Sequence, residues 1–121
     1  MTMKVLIIDD DQLVADMVAA VLETSGCQAN VCTSAQEGLS WLQEHPETGV
    51  VICDMNMPNM TGIELLHELR KQRNHLPFVL LTGDNPDKIL AQEPALRYCI
   101  EKDGELAEHL PRLIAAIRNG Q

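Results

Sequence analysis

Four short stretches hold the side chains that could do chemistry together. They are the acids Asp9, Asp10 and Asp11, the single acid Asp54 that ends Val50-Val-Ile-Cys-Asp54, the hydroxyl of Thr82 and the amine of Lys102. Carboxylates gathered in one crevice repel each other, so a hard divalent cation is their natural counter-charge. Oxygen ligands in an open, wet crevice favour Mg2+, which keeps several of its waters. With the charge neutralised, one carboxylate can attack phosphorus as a nucleophile. The metal and a lysine ammonium would stabilise charge on the transferring oxygens, and a hydroxyl could hydrogen-bond the transferred group.

That chemistry requires distant residues to meet, and the elements between them say how. Val50 to Cys53 is a continuous apolar run that enters Asp54, and Asn56, Pro58, Asn59 and Gly62 then break it. Such a run bounded by turn residues reads as a strand buried on both faces. Lys4–Ile8, the more polar Gln28–Cys32, Phe78–Thr82 and Tyr98–Glu101 read as four further strands. Apolar residues at helical spacing separate them. A first helix spans about Asp11 to Ser25, with Asp11 as its N-cap and Gly26 as the C′ glycine. Ser34 and Glu37 form a capping box for a second helix, closed by Pro46 and Gly49. Ile63, Leu66 and Leu69 mark a third helix ending near Arg73. Pro86, capped by Asn85, opens a fourth helix that Pro94 cuts short. Leu106 to Ile117 gives the last helix, with Pro111 a possible kink.

Alternating strands and helices imply an α/β fold: a doubly wound, five-stranded parallel sheet with five helices, joined by right-handed crossovers. All strand C-termini then face one edge, where ligands bind in such sheets. Asp9, Asp10, Asp54, Thr82 and Lys102 each lie at the end of a strand on that edge.

Composition narrows the class. A chain of 121 residues fits one domain, residues 1–121. A single Phe, Tyr and Trp leave the core to aliphatic residues, Met and Ala. The net charge of −9 disfavours nucleic acid and anionic membranes as partners of this domain. No apolar run approaches the ~20 residues of a membrane span, and none resembles a signal peptide. The expected location is the cytoplasm. Cys27, Cys32, Cys53 and Cys99 show no Cys-x-x-Cys pair and read as buried thiols. The histidines show no metal-ligand spacing.

Four features together resemble the receiver domains of bacterial two-component response regulators. They are Ile7-Ile8-Asp9-Asp10, Asp54-Met-Asn-Met-Pro58 followed by Gly62, Leu81-Thr82-Gly83, and Lys102 after an apolar strand. The stretch from Asp54 to Gly62 is similar to that of single-domain chemotaxis receivers. The resemblance implies a flavodoxin-like sheet of order 2-1-3-4-5 and a Mg2+-dependent signalling switch, with Mn2+ able to substitute. Asp54 matches the phosphoacceptor. Asp10 matches the direct metal ligand, Asp9 a ligand acting largely through water, and Asn56 the residue whose backbone carbonyl ligates the metal. Thr82 and Lys102 match the switch hydroxyl and the phosphate-binding lysine. Asn56 and Asp84 match positions that set the rate of hydrolysis. The implied partners are a histidine kinase or phosphotransfer protein upstream and an effector domain or protein downstream. The domain would catalyse only its own phosphorylation and dephosphorylation.

Two departures stand out. Asp103 follows Lys102 where the family has a proline joined by a cis bond; a cis bond before a non-proline residue costs about 2.5–4 kcal/mol. That bond is therefore either trans or strained. Cys99 occupies the place of the aromatic switch residue, and the adjacent Tyr98 can serve only if a bulge shifts the register. Three other readings fit less well. A haloacid-dehalogenase-type phosphohydrolase would use Asp9 and Asp11, but Leu13 interrupts its pattern and no cap domain is present. A flavodoxin would place a phosphate-cradling loop where the aspartates stand. A pseudo-receiver that binds protein without being phosphorylated would not need the full acid set.

Overall fold

The computed structural model describes residues 2–120. Met1 and Gln121, the ends of the expected single domain, lie outside the described residues. The chain alternates β1 (Lys4–Ile8), α1 (Gln12–Thr24), β2 (Gln28–Cys32), α2 (Ala35–Glu44), β3 (Val50–Asp54), α3 (Gly62–Lys71), β4 (Phe78–Thr82), α4 (Pro86–Gln92), β5 (Tyr98–Glu101) and α5 (Leu106–Arg118). All strand pairs are parallel and the sheet order is β2-β1-β3-β4-β5. The flavodoxin-like arrangement expected from the sequence is the one observed.

The two-residue period of the strands divides the core. Leu6, Ile8, Val51, Cys53, Phe78 and Leu80 face α2, α3 and α4. Val5, Ile7, Val50, Ile52, Val79 and Leu81 face α1 and α5. Every residue of β3 and β4 is buried, as a strand covered on both faces requires.

Helix ends explain where the loops go. Asp11 caps α1 by accepting from the N–H groups of Leu13 and Val14. After α1, Gly26 adopts φ 90°, and the Gly26 and Cys27 N–H groups return to the Glu23 and Leu22 carbonyls, a Schellman end. The capping box expected at Ser34 forms by half. Ser34 accepts from Glu37 N–H at 3.1 Å, but the Glu37 carboxylate takes the N–H of Thr33 instead of that of Ser34. The complete box stands at α3, where Thr61 and Glu64 satisfy each other's N–H groups. Pro111 lies inside α5, which continues through it. Lys102–Asp103 is trans: the described residues contain no cis peptide.

Candidate functional site

The C-terminal edge of the sheet gathers the residues that the sequence singled out. Asp9 follows β1 and is 1% exposed, while Asp54 closes β3 and is 7% exposed. Asp10 is exposed beside them. Ligand oxygens of these three acids lie within 4.8 Å of one another. Lys102, one residue past β5, donates from Nζ to Asp54 Oδ1 at 2.9 Å and to Asp9 Oδ2 at 3.1 Å. The other Asp9 oxygen accepts from Asp11 N–H at 3.0 Å, which fixes the turn into α1.

Pairing of the strands sets this geometry. Lys102 N–H donates to the Thr82 carbonyl at 2.7 Å, extending the β4–β5 ladder by one residue. Its side chain thereby reaches across β4 to β3 and β1. After Asp54, Met55 N–H bonds the Leu81 carbonyl and Gly62 N–H bonds the Met55 carbonyl. A Cβ on Gly62 would stand 2.6 Å from the Asp54 carbonyl oxygen and 2.6 Å from Leu80 Cδ1. Glycine is thus required here by close approach, a reason beyond the strand-breaking role read from the sequence. Between them, Met60 N–H bonds the Pro58 carbonyl around Asn59, whose φ is 72°. That is a γ-turn of the strained, positive-φ type.

Charge and burial compete at the acids. Burial pushes the Asp54 carboxyl above the usual carboxylate range; Lys102 opposes that, and Asp9 and Asp10 reinforce it. Burial pulls the Lys102 ammonium down, but Asp54 and Asp9 outweigh it and the net shift is upward. Lys102 is therefore firmly charged, and it is the cation that the acids hold within hydrogen-bond reach. The donor set suits a small hard cation: carboxylate oxygens only, two buried acids and one open to water.

Thr82 is buried but does not bond the acids. Its hydroxyl donates to Met55 Sδ at 3.5 Å and accepts from Asp84 N–H at 3.0 Å. Met55 is a contact of Thr82 that sequence reasoning missed. Asn56 and Asp84 are exposed at the rim. Cys99 is half-buried against the layer of α2, α3 and α4, and burial pushes its thiol up to about 11. Tyr98 packs on the other layer, and the Arg97 guanidinium lies 5.4 Å from its ring centroid. The β4–β5 register runs unbroken from Val79–Tyr98 to Thr82–Glu101. The bulge that would bring Tyr98 to the switch position is therefore absent, because each pair of β5 keeps its place in the ladder.

Known proteins share this fold. The family model for the response regulator receiver domain matches residues 5–115. The chain is 32% identical over 117 residues to a homologue of the transcriptional regulatory protein CpxR from Haemophilus influenzae, covering 95% of this chain and 50% of that protein. It is 30% identical to the transcriptional regulatory protein YkoG of Bacillus subtilis, covering 94% of this chain and 50% of that one. The chain thus spans about half the length of these curated relatives. Among solved structures, a response regulator receiver domain from Clostridium thermocellum superposes with TM-score 0.85 at 31% identity, covering 97% of this chain and 94% of that one. The chemotaxis response regulator CheY4 of Vibrio cholerae gives TM-score 0.85 at 26% identity, covering 97% and 99%.

Proposed function

The chain belongs to the response regulator receiver family, and on that premise we propose that it is a phosphorylation-driven switch whose acceptor is Asp54. One observation carries the proposal: Lys102 bridges Asp54 and Asp9 beside Asp10 at the C-terminal edge of the sheet. An acceptor, a carboxylate cluster suited to a metal and a cation able to meet phosphoryl oxygens stand together there.

Asp9, Asp10, Asp54 and the Asn56 backbone carbonyl would hold Mg2+, or Mn2+ in its place. When bound, the metal supplies counter-charge to the acids and a Lewis acid for phosphoryl oxygens. A carboxylate oxygen of Asp54 attacks phosphorus, forming an O–P bond. The N–P bond of a donor phosphohistidine breaks, and its electron pair leaves on the imidazole nitrogen. Lys102 exchanges Asp54 for the new phosphoryl oxygens. Thr82 reaches the phosphoryl group only by leaving Met55, and this moves the start of the segment 84–93. Asn56 and Asp84, both open to water, tune hydrolysis. The donor is a histidine kinase or phosphotransfer protein; an effector domain or protein reads the result. The receiver unit spans 1–121 and works in the cytoplasm; no described helix is long and apolar enough to cross a membrane.

Incubation with a small acyl phosphate and Mg2+ tests this. One acid-stable, base-labile phosphoryl group should appear by intact mass, and Asp54→Asn should remove it. Metal titration should show binding that Asp10→Asn weakens. Phosphorylation that persists in Asp54→Asn would refute the acceptor. A wild-type chain that takes neither metal nor phosphoryl would support the pseudo-receiver reading instead.

A further inference from the structure

The opposite edge of the sheet, where β4 and β5 begin, is built differently. A cleft of about 440 Å3 opens there, lined among others by Arg70, His75, Phe78, Pro94, Arg97 and Tyr98. The chain holds 18 acids and only 9 Lys and Arg. Even so, among the described residues this cleft is lined by two arginines and a histidine and by no Asp or Glu.

The arginines are not neutralised. Arg70 Nη1 donates to the Asn74 and Leu76 carbonyls at 2.9 and 3.0 Å, which closes the loop after α3. Those acceptors are neutral, and a guanidinium has five N–H donors. Among the described residues, neither Arg70 nor Arg97 enters an ion pair. The acid closest in sequence to the cleft, Glu93, is turned to His67 Nε2 at 3.0 Å. Loop closure explains Arg70 Nη1 and the end of the α3 dipole explains a basic residue there. The Arg97 guanidinium lies 5.4 Å from the Tyr98 ring centroid, but that contact leaves its charge unpaired and does not explain why both arginines border the same cavity.

We propose that this cleft binds a small organic anion: a carboxylate or phosphate group held between Arg70 and Arg97, with a flat apolar body against Pro94 and Tyr98. The volume lies within the 300–1,000 Å3 typical of small-molecule sites, and the mix of apolar walls and a few polar groups is the usual lining. Planar guanidinium forks suit both carboxylate and phosphate. The site is separate from the acids at the other edge and does not depend on Asp54 being phosphorylated.

The test is an amide and arginine side-chain NMR titration of the intact chain in metal-free buffer. The probes are phenyl phosphate, benzoate, inorganic phosphate and benzyl alcohol. Phenyl phosphate and benzoate should shift residues 75–78 and 94–98 and the arginine Nε–H signals in a saturable way. Arg97→Gln should weaken them tenfold or more, and Arg97→Lys should weaken them less. Inorganic phosphate should act weakly on the same residues, and neutral benzyl alcohol should not saturate. Among the described residues the Arg97 side chain makes no hydrogen bond to the backbone and packs on the Tyr98 ring, so its variants keep the test interpretable where Arg70→Gln could loosen the loop. Shifts that avoid the cleft, that are unchanged in Arg97→Gln, or that benzyl alcohol reproduces would overturn the proposal.

Discussion

The strand that carries Asp54 and the strand that precedes Lys102 differ in how firmly they are held. β3 lies between β1 and β4, and all five of its residues are buried. β5 is an edge strand of four residues; Tyr98, Cys99 and Ile100 are half-buried and Glu101 is exposed. Beside it, α4 has seven residues and one buried side chain, Ile89. A helix that short is marginal without tertiary support. The proposed acceptor is thus mounted on a fully buried strand, and the segment proposed to respond has little buried surface. Low local stability is what a movable element needs.

The strongest way to break this comparison is to cut equal volumes from both strands. Ile52→Ala in β3 should lower unfolding free energy by about 2–5 kcal/mol, and Ile100→Ala in β5 by less than half of that, measured by urea denaturation. Equal losses would mean that β5 is as firmly packed as β3.

A second test targets the link between the halves. Lys102 reaches from β5 to Asp9 and Asp54, and its side chain is 24% exposed. Lys102→Met leaves the acids without that cation, at a cost of about 1–3 kcal/mol, below that of a fully buried pair. Because the lost cation is what Mg2+ can replace, added Mg2+ should raise the melting temperature more in Lys102→Met than in the parent chain. A metal response that shrinks in the variant would show that Lys102 does not compete for these carboxylates.

Two smaller effects sharpen the contrast. With an acyl-phosphate mimic at Asp54, amide exchange should change in 84–93 more than in β3; changes confined to 54–62 would place the switch elsewhere. At Cys99 the thiolate is the reactive form, and a thiol raised from 9.0 to about 11 holds less of it at any lower pH. Alkylation by iodoacetamide at pH 8 should run about a hundredfold slower than for a thiol of ordinary acidity, rising as pH approaches 11. Cys27, Cys32 and Cys53 are more deeply buried and should react later still. A fast reaction at pH 8 would show that the β5 face opens readily.

Much of this was legible in the chain. Val50–Asp54 and Phe78–Thr82 declare themselves because strands buried on both faces must be apolar throughout. The short α4 follows from Pro86 and Pro94. The meeting of Asp9, Asp10, Asp54 and Lys102 follows from parallel strands ending at one edge. Less visible were contacts that depend on tertiary approach. Met55 reaches the Thr82 hydroxyl only because β3 and β4 are neighbours. The Glu37 carboxylate accepts from Thr33 N–H and not from Ser34 N–H, a choice the residue types alone do not encode. The Thr61–Glu64 box was hidden because Thr61 stood inside a run of turn residues. The cleft joins Arg70 in the last turn of α3 to Arg97 in the α4–β5 connection, which no local pattern connects.

Gly62 contributes no atoms to the chemistry, yet the place of its missing Cβ is taken by the Asp54 carbonyl and Leu80. Any larger residue would push on the backbone of Asp54 itself. In a deep survey of substitutions scored by signalling, position 62 would look as intolerant as position 54, for the opposite reason. One position needs a particular group; the other needs emptiness. A functional map drawn from intolerance alone would merge them, and the two separate only when folding and phosphorylation are scored independently.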